Sequence, residues 1–286
     1  MTFKRSLIAL IATLTTLGVL AFDFWPQVPD KDTVVVTDGL QEQQESNIEC
    51  KEFQSASPLD KDGQIEVLVW NIYKQNKAGW KSDLESYLSK IQLGLLQEVS
   101  MSEEFKSWLY HADWIGQQAK AFEMFDASAG VFNLAHVYPS KICAQLSTEP
   151  WLRLPKSALF ATYQLSNGEV LGVGNLHGIN FTFGTEDYAK QLGLLGEKLK
   201  EHKGPVILGG DFNTWSDSRS QALRKAMSNA GLIEVSFDPD NRSRFMDGEV
   251  LDHIYYRGLE LKKAEAPTSD ASDHNPLFAS FALIKR

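Results

Sequence analysis

Polar side chains that can bind metals or transfer protons close a series of short hydrophobic runs in this 286-residue chain. One polar residue at a strand end is ordinary turn chemistry, but the same placement at the ends of several strands is a stronger signal. Strand ends of a sheet meet at a common rim, where binding groups usually lie. The residues in this set are Asn71, Glu98, His177, Asp211, Asn213, Asp252, Asp273 and His274.

The residue types in this set indicate phosphoester chemistry. Carboxylate and amide oxygens without a cysteine cluster suit a hard divalent cation, Mg²⁺ or Mn²⁺, better than zinc. Such a cation neutralises developing charge, while a carboxylate orients a water molecule and hydrogen-bond donors hold the phosphoryl oxygens. The sequence therefore predicts a metal-dependent phosphodiester hydrolase.

The elements that must position these groups alternate between strands and helices. Hydrophobic runs at 65–71 and 205–211 predict strands, and the amphipathic stretch at 186–200 predicts a helix. Two further strands are expected at 157–165 and 169–177, paired through a short turn that contains glycine. Paired strands mixed with helices indicate an α/β fold in which two sheets pack as a sandwich flanked by helices.

Composition divides the chain into three segments. Residues 1–22 contain two basic residues followed by an uncharged, largely apolar run at 7–22, which predicts a signal peptide or a membrane anchor. Residues 23–59 are polar with few periodic signals and predict a linker with one short β-like patch at 34–36, and residues 60–286 are the predicted domain. Either interpretation of the first segment predicts an exported domain: periplasmic, secreted, or associated with a membrane through 7–22 and facing away from the cytoplasm.

Charge and cysteine content bear on the partners of the chain. The net charge of -9 argues against a broad basic surface for duplex DNA, although a local basic groove is compatible with it. Cys50 and Cys143 can pair in an oxidising compartment or remain two unpaired small hydrophobic residues, and two cysteines provide no spacing pattern that decides. We expect the domain to be a monomer.

The motifs themselves carry a family resemblance. The stretches "WN", "LLQE", "NLH", "GGDFN", "LDHI" and "SDHNP", in this order, resemble the endonuclease/exonuclease/phosphatase superfamily, which has the DNase I-like four-layer fold. The resemblance extends over residues 65–284, nearly the whole predicted domain. The wider stretches "VLVWNIYKQN" and "GPVILGGDFNTWS" are similar to a bacterial branch of that superfamily.

The resemblance implies a role for each matched position. Glu98 is the implied principal metal ligand, helped by Asn71 and, across the site, by Asp273. Asp211 would orient or deprotonate the attacking water, and Asn213 would hold that water or the phosphate. If the strand continued extended past Asp211, both of these side chains would point to one side, with the residue between them facing the core.

The remaining implied roles concern the phosphate. His274 would contact it, and Asp252 would fix the tautomer of His274 and support its positive charge. His177 would be a second donor, and Lys156 stands where the family commonly has an arginine, so that contact becomes a point charge. Tyr73 occupies a place where some nuclease members carry an acidic residue, which leaves the number of metal ions open.

Side chains outside the motifs allow both structural and functional interpretations. Four tryptophans are more typical of core or half-buried packing than of base stacking or lipid insertion, whereas Trp215 lies next to the predicted site. Two lysines after the first motif are expected to be solvated, four arginines on or after the helix predicted at 217–231 can line a groove, and His253 is expected to be structural. The tryptophans are Trp80, Trp108, Trp114 and Trp151, the lysines Lys74 and Lys77, and the arginines Arg219, Arg224, Arg242 and Arg244.

Three functions are compatible with these residues. The leading hypothesis is an exported nuclease, with nucleic acid as the phosphodiester substrate. The second keeps the chemistry but acts on lipid or inositol head-group phosphates, for which the sequence shows no obvious hydrophobic entry loop. The third is a non-catalytic, envelope-associated binding module, which should have lost a metal-binding or water-activating carboxylate, and none is lost.

Overall fold

The structure, a computed structural model, describes residues 25–39, 41–46, 49–54, 57–246 and 248–284. These residues form two β-sheets and four α-helices. The helices are α1 (Trp80–Leu88), α2 (Glu103–His111), α3 (Glu186–Glu201) and α4 (Asp217–Asn229). The strands are β1 (Val34–Asp38), β2 (Gln41–Ser46), β3 (Cys50–Glu52), β4 (Gln64–Asn71), β5 (Leu93–Ser100), β6 (Ile115–Met124), β7 (Ala127–Ala135), β8 (Lys141–Thr148), β9 (Pro155–Gln164), β10 (Val170–His177), β11 (Val206–Asp211), β12 (Ile233–Glu234), β13 (Asp252–Arg257), β14 (Leu259–Glu265) and β15 (Leu277–Leu283).

The two sheets lie face to face between two pairs of helices. The first sheet has the strand order β14-β15-β4-β5-β7-β6-β1-β2, and the second has the order β12-β13-β11-β10-β9-β8-β3. Side chains of β4 alternate between the two faces, so Val67 and Val69 lie in the core between the sheets while Trp70 packs with α1 and α2. Helices α3 and α4 cover the second sheet through Leu192 and Leu223. The predicted two-sheet α/β sandwich flanked by helices is confirmed.

The expectation that residues 23–59 form a linker is corrected by the described part of that segment. Strand β1 pairs antiparallel with β6, and Val34–Val36 are buried in the first sheet. Strand β3 pairs with β8 at the edge of the second sheet. The β-like patch predicted at 34–36 lies in β1, but the strands that pair with this polar segment are distant in sequence and cannot be identified from the local pattern.

The N-terminal prediction and the cysteine pairing have different outcomes. The signal peptide or anchor predicted at residues 1–22 lies outside the described residues. Within the described part of the chain, no helix has the length and apolar character needed to cross a membrane. Cys50 and Cys143 stand opposite each other on β3 and β8 and form a disulfide, which decides between the two states that the sequence left open.

Two pairs of parallel strands lie at the centre of the sandwich. Strand β4 is parallel to β5 in the first sheet, and β10 is parallel to β11 in the second. Strand β13 then runs antiparallel beside β11, so that its beginning lies next to the end of β11. The ends of β4, β10 and β11 and the start of β13 therefore share one rim of the sandwich, where the motif residues lie.

Candidate active site

Strand register places three of the predicted site residues side by side. His177 pairs with Asp211 across β10 and β11, and Asp211 pairs with Asp252 across β11 and β13. All three residues are buried. The Asn71 amide Nδ2 donates to Oδ2 of Asp211 over 3.0 Å, which joins the end of β4 to the end of β11 and so links the two sheets at the site.

His274 reaches the site from the loop that precedes β15. Its Nδ1 lies 2.7 Å from Oδ2 of Asp252, and its Nε2 lies 3.9 Å from Oδ2 of Asp211. Burial opposes a charge on this imidazole, but the carboxylates of Asp252 and Asp211 outweigh burial and raise the pKa of His274 to about 10. The loop is fixed to β4, because the Ser272 hydroxyl donates to the Asn71 carbonyl over 2.6 Å. His274 is therefore a positioned imidazolium at neutral pH.

Glu98 enters from the first sheet at an irregularity in its strand. The register between β5 and β7 shifts between Leu96 and Val99, and Glu98 has a φ of 53°. One oxygen of its carboxylate accepts from the Lys74 ammonium over 2.7 Å, and the other lies 3.7 Å from Nε2 of His177. Burial raises the pKa of Glu98, but the His177 imidazole in its charged form and the Lys156 and Lys74 ammonium groups bring that pKa down to about 2. Glu98 is therefore an anion at neutral pH, paired with the Lys74 ammonium.

Lys156 is directed at the same group of side chains. Its Nζ lies 2.9 Å from Nε2 of His177, and because an ammonium only donates, Nε2 is the acceptor. Burial and the Lys156 charge lower the pKa of His177 to about 4, so the imidazole is neutral at neutral pH. In this arrangement the hydrogen-bond donor that faces the site is the ammonium of Lys156.

The turn after β11 differs from the extended geometry considered for Asp211 and Asn213. Asn213 has a φ of 52°, its backbone N–H donates to Oδ1 of Asp211 over 2.9 Å, and its Nδ2 donates to the Gly178 carbonyl over 2.9 Å. Phe212 is fully buried beneath them, as expected. The structure thus shows Asn213 orienting Asp211 and the β10 loop, while the contact of Asn213 with water or phosphate stays a prediction.

Left-handed backbone conformations are concentrated around the site. The φ angles of Tyr73, Lys74, Gln75, Glu98 and Asn213 lie between 50° and 58°. Such conformations cost about 1–3 kcal/mol each for residues other than glycine, and they persist where the surrounding structure determines them. Here they direct the side chains of Lys74 and Glu98 toward each other.

The donor set fits a hard divalent cation. Asp211, Asp252 and His274 each bring one carboxylate or imidazole atom to within 4.8 Å of the others. The two carboxylates can act as oxygen ligands, whereas His274, as an imidazolium, has no free lone pair to offer. Oδ1 of Asp252 is buried without a hydrogen-bond partner among the described residues. With anionic Glu98, these carboxylates supply hard oxygen ligands of the kind that hard divalent cations take. The exposed Asp273 carboxylate lies 3.4 Å from the Ser272 hydroxyl, and none of its described contacts joins it to Glu98.

A cavity of about 260 Å³ opens beside these groups. Glu98, His177, Lys156 and Lys74 line one part of it. The remainder is lined by residues of β6, β7 and the start of β9 and by residues of the loops before β9 and after β10, among them Leu152 and Phe181.

Several supporting residues were not identified from the sequence. Asn175 on β10 reaches across the core, where its Nδ2 donates to the carbonyls of Leu96 and Phe132 and its Oδ1 accepts from Gln97 over 2.7 Å. These bonds hold β5 immediately before Glu98. The sequence does contain a signal, because Asn175 is a polar residue inside the hydrophobic strand "GVGNLH". The prediction considered only the polar residue at the end of that strand.

The side chains with two interpretations are also placed. Of the arginines considered for a groove, Arg219 is fully buried inside the fold and Arg242 pairs with Glu234 and Asp240. Lys74, which was expected to be solvated, contacts Glu98. The structural expectation for His253 is correct, since it contacts Glu234 and Thr214. Trp80, Trp108 and Trp114 are buried as expected, whereas Trp151 is 55% exposed and is not a core residue.

This fold and site define a class, the DNase I-like α/β sandwich with a carboxylate and histidine centre at the sheet ends. Comparison with known proteins agrees: the profile of the Endonuclease/Exonuclease/phosphatase family matches residues 68–274. The chain is 50% identical over 281 residues to a "UPF0294 protein" of Vibrio campbellii, which covers 98% of this chain and 99% of that protein. The chain therefore belongs to the Endonuclease/Exonuclease/phosphatase family and, within it, to the UPF0294 proteins. Members of the family are hydrolytic phosphoesterases.

Solved structures share the fold at low sequence identity. An endonuclease/exonuclease/phosphatase from Bacteroides vulgatus has a TM-score of 0.61 at 16% identity, covering 77% of this chain and 99% of that one. The D. rerio TDP2 structure, complexed with a single-strand DNA product, has a TM-score of 0.55 at 16% identity and covers 77% of this chain and 99% of that one. At these identities the likeness concerns the fold.

Proposed function

We propose that this chain is a divalent-metal-dependent phosphodiester hydrolase that works outside the cytoplasm. The observation that carries the proposal is the meeting of Glu98, Asp211, Asp252 and His274, which come from both sheets, at one rim of the sandwich. In a purely structural set of polar residues each buried oxygen would be expected to have a hydrogen-bond partner, yet one oxygen of Asp252 is buried and finds none among the described residues.

Glu98 and Asn71 are the residues that would hold Mg²⁺ or Mn²⁺, with Asp273 as the ligand proposed from the opposite side. When bound, the cation would neutralise charge on the phosphoryl oxygens and so favour attack at phosphorus. The carboxylate of Glu98 is ionised at neutral pH, which is the state that a metal ligand needs.

Asp211 is the group proposed to orient the attacking water. Both of its oxygens are fixed, one by Asn71 and the other by the Asn213 N–H, so the carboxylate presents one defined geometry. The water oxygen forms a bond to phosphorus while the ester P–O bond to the leaving alcohol breaks, and one proton passes from water to that alcohol. The imidazolium of His274, held by Asp252, and the ammonium of Lys156 supply positive charge to the phosphoryl oxygens.

Two substrate classes remain from the sequence. Nucleic acid is supported by the D. rerio TDP2 structure of the same fold, which carries a single-strand DNA product. A lipid or inositol head-group phosphate is the second candidate, and it is supported by exposed apolar side chains on the two loops beside the site cavity, among them Leu152 and Phe181. Location outside the cytoplasm is supported by the apolar run at 7–22 and by the Cys50–Cys143 disulfide, because such bonds persist in oxidising compartments.

The test is hydrolysis of bis(p-nitrophenyl) phosphate, a generic soluble phosphodiester, by the full-length protein in Mg²⁺ or Mn²⁺. We expect Asp211→Asn to lower kcat by about 100-fold or more, the range of a lost general acid–base group. Asp126→Asn, at an exposed turn between β6 and β7, is the matched control and should retain wild-type activity. Wild-type protein that hydrolyses no phosphodiester with either metal would contradict the proposal.

A further inference from the structure

Four large apolar side chains lie exposed on two neighbouring loops at the mouth of the site cavity. Trp151 and Leu152 precede β9 and are 55% and 54% exposed, and Phe181 and Phe183 follow β10 and are 48% and 80% exposed. We propose that these four residues, here called the apolar rim, bind the hydrocarbon part of an amphipathic phosphodiester, so that the substrate is a phosphate ester carried by a lipid. This inference rests on the proposed hydrolase function and names its substrate class.

The rim is continuous with the site. Leu152 and Phe181 line the same cavity as Glu98, Lys156 and His177. The cavity therefore has a charged end, suited to a phosphate, and an apolar mouth. A phosphodiester bound at the charged end would direct one of its substituents over Leu152 and Phe181. That division of polarity matches a lipid, whose phosphate adjoins hydrocarbon.

Buried charged groups hold the rim loops in place. The Glu149 carboxylate, itself 1% exposed, accepts the Asn180 N–H over 2.7 Å. The fully buried Arg219 guanidinium donates to the Ile179 and Asn180 carbonyls and to the Thr182 hydroxyl. The exposed rings thus stand on braced loops, an arrangement that keeps apolar surface in water. Contiguous exposed apolar groups of this kind mark interaction sites.

The rim contacts show that its two loops form one surface. The rings of Trp151 and Phe183 lie 4.5 Å apart between centroids, so the loop before β9 touches the loop after β10. Trp215, next to the Asp211–Asn213 turn, donates its indole N–H to Asn180 on the second loop. Tryptophan and phenylalanine at the edge of a polar site are the residues that lie at a lipid–water boundary.

The cations around the cavity favour lipid over nucleic acid. A nucleic-acid strand is bound through a row of cations that follows its backbone, with rings stacking on the bases. Among the described residues that line the cavity, the lysine and arginine side chains are Lys74 and Lys156, and the buried Arg219 supports the loops from inside. Leu152 offers no ring for stacking. The net charge of -9 points in the same direction.

The activity test compares three substrates with one rim variant of the full-length protein. The substrates are phosphatidylglycerol/phosphatidylcholine vesicles, a single-stranded DNA oligonucleotide and soluble bis(p-nitrophenyl) phosphate. The variant is Trp151→Ser/Phe183→Ser, since neither ring lines the cavity, and Tyr110→Ser removes an exposed ring of α2 as a control. We expect the rim variant to lose about tenfold or more on vesicles, because two aromatic side chains no longer leave water, and to keep soluble activity within about twofold.

The outcomes separate the two proposals. Failure of the wild-type protein on bis(p-nitrophenyl) phosphate contradicts the hydrolase function itself. Hydrolysis of that diester without hydrolysis of vesicles, or equal vesicle activity in the rim variant and in Tyr110→Ser, overturns the lipid assignment alone. A loss by the rim variant on DNA but not on vesicles would show that the rim stacks on bases, and this also overturns the assignment.

A second measurement is independent of catalysis. Vesicles containing brominated phospholipid quench tryptophan fluorescence at short range, and Trp25 is the other strongly exposed tryptophan among the described residues. In a Trp25→Phe background, we expect brominated vesicles to quench the full-length protein and the further change Trp151→Phe to remove most of that quenching. Unchanged quenching after Trp151→Phe would overturn the proposal.

Discussion

Replacing the buried Arg219 by methionine tests how the site is supported. The guanidinium of Arg219 donates to three backbone carbonyls, those of Ile179, Asn180 and Asn213, over 2.6 to 3.1 Å, and to the Thr182 hydroxyl over 3.0 Å. Methionine retains much of the volume but none of the donors. It would therefore leave the buried carbonyls of Ile179 and Asn213 unsatisfied and remove the donor to the part-buried Asn180 carbonyl and Thr182 hydroxyl.

The expected loss in the free energy of unfolding follows from the number of acceptors that lose their donor. Each buried group left without its partner costs about 1–3 kcal/mol, so the two buried carbonyls give a lower bound of about 2 kcal/mol, and the part-buried Asn180 carbonyl adds to it. The guanidinium also lies over the rings of Tyr188 and Trp215, at 4.4 Å and 4.6 Å from their centroids, and these contacts add about 0.5–2 kcal/mol. We expect Arg219→Met to lower the free energy of unfolding by about 3–5 kcal/mol.

Urea-induced unfolding followed by circular dichroism measures this loss. Arg224→Met on the same helix removes an exposed arginine and should change the free energy of unfolding by less than about 0.5 kcal/mol. Arg219→Lys should fall between wild type and Arg219→Met, because lysine keeps the charge but not the planar fork. A loss below about 1 kcal/mol in Arg219→Met would refute the account of Arg219 as the brace of these loops.

Three further predictions concern other supports of the fold and the site. Asn175→Asp removes the donor to the Leu96 and Phe132 carbonyls, so it should lower the free energy of unfolding by about 2–4 kcal/mol and weaken the activation by Mn²⁺. An unchanged Mn²⁺ dependence would contradict the role of Asn175 beside Glu98. The Cys50–Cys143 disulfide joins cysteines that are 93 residues apart, and its reduction should lower the free energy of unfolding by up to about 4 kcal/mol with little effect on the kcat of the folded protein. A urea midpoint of unfolding that dithiothreitol does not shift would contradict this. Hydrogen bonds from Arg242 lower the pKa of Asp240, so this pair should stabilise the fold above the unfolded-state pKa and lose that effect as the pH falls through the lower folded-state pKa. Asp240→Asn should therefore destabilise the protein at pH 7 and by progressively less as the pH falls below the unfolded-state pKa, and a difference that does not shrink in acid would rule out this explanation.

Most of the site was predictable because its residues close strands. Hydrophobic runs ending on Asn71, Glu98, His177 and Asp211 predicted a shared rim, and strand pairing brings these ends together. The contacts among them were not predictable, because they depend on how the two sheets face each other. The salt bridge of Lys74 with Glu98, for example, requires a left-handed turn at Lys74 and a register shift in β5 at Glu98, and no local sequence pattern predicts either of them.

Helical phase could have identified Arg219 as internal. It lies four and eight residues before Leu223 and Met227, which are buried on the inner face of α4, so all three side chains share one face of the helix. Its charge suggested a groove instead. The exposure of Trp151 could not be predicted in this way, because the tryptophan lies between Pro150 and Leu152, outside any periodic pattern that would indicate its burial.

The dependence of bis(p-nitrophenyl) phosphate hydrolysis on Mn²⁺ concentration, with Glu98→Gln beside wild type, tests the central claim most directly. Glu104→Gln, an exposed change in α2, is the matched control. We expect wild-type and Glu104→Gln activity to saturate with Mn²⁺ and to disappear with a chelator, and Glu98→Gln to need at least about tenfold more Mn²⁺. Activity that survives chelation, or an Mn²⁺ requirement in Glu98→Gln equal to that of wild type, would contradict a metal-dependent phosphoesterase centred on Glu98.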